Sequence, residues 1–213
     1  MINIGFNLLW EGQQVFYDLA DVLVNSVRRT MPDAVVTMFT DETSPKLESV
    51  DRVRRLPKDH LNFMRCRHMQ LVTGNWVLVD VDVYFQADVS NVFEKPFDIG
   101  LTDRNWPHLP SFPFILNGMQ SNVGVVFSQN PTFWFDVERW LLNHPEHQRD
   151  WYGDQRAICE VAKQTKWLIR ALPGAIYNYP PIDSTDNAET AQIVHCKGPR
   201  KEWMLKKRVT LCA

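Results

Sequence analysis

The sequence predicts an α/β fold in which a mostly parallel central sheet is flanked by helices. Short apolar segments alternate with segments of helical periodicity through the first third of the chain. The most apolar of them, Trp76-Val77-Leu78-Val79, has the composition of a strand buried on both faces, as in parallel sheets.

In chain order, residues 2–9 form the first strand candidate. Val15, Leu19, Val22, Leu23 and Val27 then recur at helical spacing in a segment ending near Thr30. Met31-Pro32-Asp33 is a turn, since proline biases its predecessor away from helix. Residues 34–39 are β-branched and apolar, a second strand ending at Thr40-Asp41, and a minor strand follows around 50–56. Residues 62–73 read as a helix capped by Asn62 and stopped by Gly74. The apolar run 76–85 comes next and delivers Asp80 to the carboxyl end of a buried strand, where open α/β sheets bind ligands. Residues 98–102 and 121–128 read as strands, 130–143 and 154–164 as helices, and 193–194 as a late strand, beside a small antiparallel element. The proline-rich stretch 106–114 reads as a surface loop or a lid over a ligand. Without repeats or linkers, residues 1–213 are expected to form one domain.

Of the residues, 45% are hydrophobic and 12% aromatic, enough to fill a substantial core, so disorder is not the default. A formal charge of −2 provides no general attraction to nucleic acid or anionic lipid. A polyanionic ligand must therefore meet a local site. No window approaches the ~20 apolar residues of a membrane span, and the start lacks the basic-then-apolar pattern of a signal peptide. Cys66, Cys159, Cys196 and Cys212 are scattered with no CxxC pair, which argues against zinc and against a disulfide framework. A cytoplasmic protein is the expectation.

Asp80-Val81-Asp82 places two carboxylates two residues apart directly after the buried strand. In a continuing strand they share a face. If the chain turns, both converge on one ion. Hard oxygen ligands of this kind suit Mg²⁺ or Mn²⁺, ions commonly shared with substrate phosphates. The plain alternative is a solvated strand end, which the apolar run in front of the pair disfavours.

Buried strand, DVD and further apolar residues together resemble the DxD element of the GT-A-fold nucleotide-diphospho-sugar glycosyltransferases. Later segments resemble the same superfamily in the same order. Asn122-Val123-Gly124-Val125-Val126 is similar to the N-x-G-apolar strand beside the donor sugar, and Gly153-Asp154-Gln155 to the DQ that opens a helix near it. His195-Cys196-Lys197-Gly198-Pro199-Arg200-Lys201-Glu202-Trp203 resembles the H-x-x-G-x-x-K-P-W tail of glycogenin-like and galactosyltransferase-like members, with Glu202 in place of the proline.

The resemblance implies a Mn²⁺ or Mg²⁺ ion held by Asp80, Asp82 and His195, and Lys201 on the departing diphosphate, with Lys197 and Gly198 beside it. Arg65 is implied to contact phosphate or orient the acidic pair; Arg67 and His68 are its neighbours. Asp154 is the candidate to grip the donor sugar's hydroxyls, since a carboxylate accepts several such bonds, unless it caps its helix. Asn122 is placed at a sugar hydroxyl or the reacting centre, with Gly124 and Gln155 lining the donor. By topology, Gly5-Phe6-Asn7 ends the first strand at the nucleotide pocket and Asp41 reaches the ribose or base. Trp10, Trp106 and Trp203 read chiefly as core residues, with sugar stacking an option for Trp106. Lys197, Arg200, Lys206, Lys207 and Arg208 make the tail basic, which a solvated C-terminal helix would also explain.

The implied reaction moves a hexose from a UDP-sugar to an acceptor hydroxyl on a glycan, lipid-linked glycan or protein. The tail favours retention of configuration; inversion would need a base such as Asp154 or Asp103. Two alternatives stand beside it. A haloacid-dehalogenase-type phosphatase also carries a DxD after an apolar strand, though usually the first strand. A non-catalytic nucleotide-sugar-binding module would suit the short chain.

Overall fold

The computed structural model describes residues 1–106 and 118–211, with side chains as far as Lys207. Most of the proline-rich stretch, Cys212 and the Arg208 side chain thus lie outside the described residues. The elements run β1 (Ile2–Asn7), α1 (Gln14–Thr30), β2 (Val35–Asp41), β3 (Arg52–Leu56), α2 (Leu61–Gln70), β4 (Asn75–Val79), β5 (Val83–Phe85), β6 (Ile99–Asp103), β7 (Ser121–Ser128), α3 (Thr132–Asn143), α4 (Gly153–Ala162), β8 (Ile169–Leu172), α5 (Gly174–Tyr177), β9 (Ile193–His195) and α6 (Lys201–Leu211).

A seven-stranded sheet has the order β3-β2-β1-β4-β7-β6-β8. Only β7 runs against its neighbours; every other pairing in this sheet is parallel. β5 and β9 form a separate antiparallel pair. Helices cover both faces. α1 packs on β5 and α6, while α2, α3 and α4 pack in series on the other side. Leu19, Val22, Leu23 and Val27 of α1 are buried as their spacing predicts, whereas Val15, in the first turn, is exposed. No helix among the described residues is long and apolar enough to cross a membrane.

Two local expectations are corrected. The cap of α2 is His60, whose Nδ1 accepts from the Asn62 N–H. Asn62 is already inside the helix, and its side-chain amide donates to the Gln148 and Asp150 carbonyls at 3.1 Å, tying α2 to the loop before α4. The apolar run 76–85 is two strands, because the chain turns at Asp80-Val81-Asp82 and leaves the large sheet. β8 and α5 had no sequence signal; four residues each are too short to show a period.

Candidate functional site

The turn at residues 80–82 is stitched to two other chain segments. Asp80 N–H donates to the Gly124 carbonyl of β7 (2.9 Å), and Cys196 N–H donates to the Asp82 carbonyl (2.8 Å). These bonds fix the turn, so that both carboxylates are held toward the segment that carries His195. β9 then places His195 opposite Val83. His195 Nε2 lies 3.5 Å from Asp80 Oδ2 and 3.3 Å from Asp82 Oδ1.

The ligand atoms of Asp80, Asp82 and His195 all fall within 4.8 Å of one another. Atoms bound about 2.1 Å from one octahedral ion lie about 3 Å apart at right angles, so the separations fit a shared divalent cation. The chemistry fits as well: His195 Nε2 is buried with no hydrogen-bond partner, an arrangement that costs free energy unless something ligates it.

Gly124 makes the close approach of His195 feasible. A Cβ at this position would collide with the imidazole ring. Between Leu101 and Thr102 the β6–β7 register shifts, so β7 bulges around residues 123–125 as it passes the site. The Asn122 side chain holds the bulge by accepting from Gly124 N–H at 2.9 Å. Gly124→Ala is expected to cost about 1–3 kcal/mol through overpacking and to displace His195. A loss of Mn²⁺ binding accompanying the fall in melting temperature would show both effects; native Mn²⁺ affinity would rule out the contact.

Arg65 is buried and forms a bridge, with Nη2 2.7 Å from Asp80 Oδ1 and Nη1 2.5 Å from Asp154 Oδ2. Burial works against ionisation of Asp80, but the Arg65 charge, followed by His195, outweighs it and holds the carboxyl well below the usual range. Asp82 is likewise lowered against its burial, with His195 and Lys201 stabilising the carboxylate. Lys201 Nζ sits 2.8 Å from Asp82 Oδ2. Burial pulls the Lys197 ammonium below its ordinary value, against the attraction of Asp80 and Asp82.

The structure therefore brings together Asp80, Asp82, His195, Lys201, Arg65, Asp154, Asn122 and Gly124, with Lys197 in their field. Gly198 adopts a positive φ of 61° at the head of the 3-10 turn that leads into Lys201. Glu202, the departure from the tail pattern, is exposed in the first turn of α6, where a carboxylate favours the helix N-terminus as proline would also be tolerated.

Other expected residues do different work. Gly5 and Phe6 are inside β1, paired with β2 and β4 on both sides, and the Phe6 ring is core, so their backbones are occupied by the ladder. Asn7, level with the end of β4, keeps a buried side-chain amide with no hydrogen-bond partner. Asp41 turns into its own loop. Its Oδ1 accepts from Thr43 N–H (2.8 Å), Thr43 Oγ1 (3.0 Å) and Ser44 N–H (2.7 Å). Against burial, those donors hold its carboxyl low and commit Oδ1 to the loop, whereas Oδ2 is buried with no hydrogen-bond partner.

Asp154 is not the N-cap, which is Tyr152, though its Oδ1 accepts from Gln155 N–H. The Gln155 side chain is buried, donating to Met119 Sδ. Asp103 holds Gly174 and Asn105 through its carboxylate. Trp203 is buried edge-on to Tyr84 and anchors α6, while Trp10 is half exposed beside Tyr17. Trp106 lies against Arg104. Arg67 pairs with Asp59 and Glu138, and His68 is buried, stacked on Phe39, with burial lowering its pKa to about 4. In the tail, Lys206 pairs with Glu202 and Lys207 covers the Trp203 ring, so part of the basic character is ordinary helix surface.

Asn178 was not anticipated. It is fully buried at the end of α5, hydrogen-bonded to His195, Thr102 and Asn122. A lone asparagine followed by Tyr179-Pro180 carries no motif that would have singled it out.

Strand order, the antiparallel β7, the turn at the end of β4 and the separate β5–β9 pair together constitute a GT-A fold. Solved structures agree. A galactosyltransferase, LgtC, in complex with donor and acceptor sugar analogues superposes with a TM-score of 0.66 at 12% identity, over 98% of this chain and 94% of that one. A glycosyltransferase involved in glycosylation of the major capsid of PBCV-1 gives 0.65 at 15% identity, over 97% and 98%. The glycosyltransferase GlyE of Streptococcus pneumoniae TIGR4 gives 0.67 at 14% identity, over 98% of this chain and 63% of that one. No family model matches the sequence, and no curated protein matches it.

Proposed function

We propose that this chain is a metal-dependent glycosyltransferase that moves a hexose from a nucleoside diphosphate sugar, a UDP-sugar by preference, to an acceptor hydroxyl. The convergence of Asp80, Asp82 and His195 on one small volume, with Lys201 against Asp82, carries the proposal. The LgtC neighbour, crystallised with donor and acceptor sugar analogues, supports the substrate class.

Asp80, Asp82 and His195 would hold Mn²⁺ or Mg²⁺, which when bound supplies Lewis-acid stabilisation of the charge on a departing diphosphate. Lys201 adds a mobile positive charge at the same place, and the backbone at Gly198 allows close approach of a phosphate. The unpartnered Asn7 amide is the candidate for the nucleoside, since it sits on the strand beside β4. Asp154 keeps free lone pairs on both oxygens after its bonds to Arg65 and Gln155, and these accept sugar hydroxyls. Asn122 and Gly124 line the wall between sugar and metal. Arg65 holds Asp80 and Asp154 in fixed relation, so metal and sugar are positioned by one side chain.

A thermal-shift panel of UDP-, GDP-, CMP- and dTDP-sugars, each with and without Mn²⁺, tests this. At 100 times Kd a true donor stabilises by about 2.7 kcal/mol, or about 5–10 °C for a chain of this size. The shift is expected only when nucleotide sugar and Mn²⁺ are present together. UDP binding without any donor hydrolysis would support the inert module instead, and phosphate release from simple phosphomonoesters the phosphatase.

A further inference from the structure

We infer that Asn178 is a positioning residue that fixes a proton of His195 on Nδ1, so that Nε2 faces the Asp80 and Asp82 carboxylates and is the ring nitrogen left for a cation. The inference rests on the proposed metal site and concerns how its nitrogen ligand is prepared.

The amide orientation of Asn178 follows from its partners. Its Nδ2 lies 2.7 Å from Thr102 Oγ1, 3.0 Å from the Asn122 carbonyl and 3.3 Å from Asn122 Oδ1. Both Asn122 oxygens only accept, and Thr102 Oγ1 spends its own proton on the Asn122 carbonyl at 2.9 Å. The NH₂ group must therefore face these three atoms, which leaves Asn178 Oδ1 toward the imidazole. Oδ1 is 2.8 Å from His195 Nδ1 and, being an amide oxygen, accepts only, so Nδ1 carries the proton. Nε2 is then the ring nitrogen that a cation would bind.

That is the nitrogen found buried without a hydrogen-bond partner, 3.3 and 3.5 Å from the two carboxylates. The ring cannot slide away, because Gly124 leaves it just enough space on one side. His195 N–H is also tied to the Tyr179 carbonyl at 2.8 Å, so the same segment positions backbone and ring. Outer partners of this kind tune metal affinity by 10–100-fold where they have been removed.

The test combines ¹⁵N NMR of the His195 ring in metal-free protein with Mn²⁺ titration followed by EPR. A protonated, pyrrole-type Nδ1 is expected in the native protein. Asn178→Leu should lose that preference and weaken Mn²⁺ binding by about 10–100-fold. Thr102→Val removes one anchor of Asn178 without touching His195, and a smaller, severalfold loss is expected; it also serves if Asn178→Leu does not fold. A purely structural role would lower the melting temperature and leave the ring shifts and Mn²⁺ affinity unchanged, which would overturn the inference. So would an unprotonated Nδ1 in the native protein. If native Mn²⁺ binding is absent, or survives His195→Ala, the metal site itself fails and the inference with it. If binding depends on His195 while Nδ1 is unprotonated, only the inference fails.

Discussion

Asp82→Asn is expected to lower Mn²⁺-dependent hydrolysis of the donor by at least about 10³-fold, and Asp80→Asn by as much. The ion's Lewis-acid contribution is several kcal/mol, and each 1.36 kcal/mol is a factor of ten in rate. An amide keeps the shape of the side chain but not the anionic oxygen that a hard cation requires. Asp82→Asn also removes the ion pair with Lys201, and relief of the repulsion from Asp80 offsets part of that loss, so the fold should survive. Nucleotide release at saturating donor, together with the Mn²⁺ dissociation constant, gives the readout. A loss smaller than tenfold with unchanged Mn²⁺ affinity would remove the pair from the mechanism.

Arg65→Met should unfold the protein more readily than any other single change at the site. The guanidinium is 7% exposed and its two partners are 34% and 14% exposed, so the bridge lies largely away from water. Removing one partner of a buried ion pair typically costs about 3–5 kcal/mol, since the other charge stays behind without compensation. For this size of chain that is a drop of roughly 10 °C in melting temperature. Two carboxylates are stranded here, and the double variant Arg65→Met/Asp154→Asn should recover part of the loss. Arg65→Lys should not restore the native state, because one ammonium on a flexible stem does not reproduce a planar fork spanning both acids. Differential scanning calorimetry of the three variants decides it. A single-variant cost under about 1 kcal/mol would mean that the pair is solvent-screened and not a structural bridge.

These two expectations differ in how far they were readable before folding. The Asp80/Asp82 pair announced itself through the apolar run in front of it, since a strand buried on both faces must end at a sheet margin before charge can follow. Arg65 was placed near the acidic pair only by resemblance. Its second partner, Asp154, is 89 positions away in the chain, and no local pattern encodes such a pairing. Asp41 is a mixed case. Its place after β2 suggested a ligand contact, but Thr43 and Ser44 lie close enough in the chain to capture Oδ1, and only Oδ2 is left without a partner.

What the chain declares by itself is whatever depends on composition and short period: the buried β4, the amphipathic α1, the acidic dipeptide spacing, and the tail that carries His195 and Lys201. These are consequences of burial and of side-chain direction, which act over a few residues. Strand direction in β7, the turn that parts β4 from β5, the bulge opposite Gly124 and the hydrogen bond from His195 to Asn178 were decided only by tertiary structure. Each needs backbone groups or side chains from separate segments to satisfy one another in space. A buried polar atom can accept whichever partner the fold delivers, and that delivery is not written in the residues beside it.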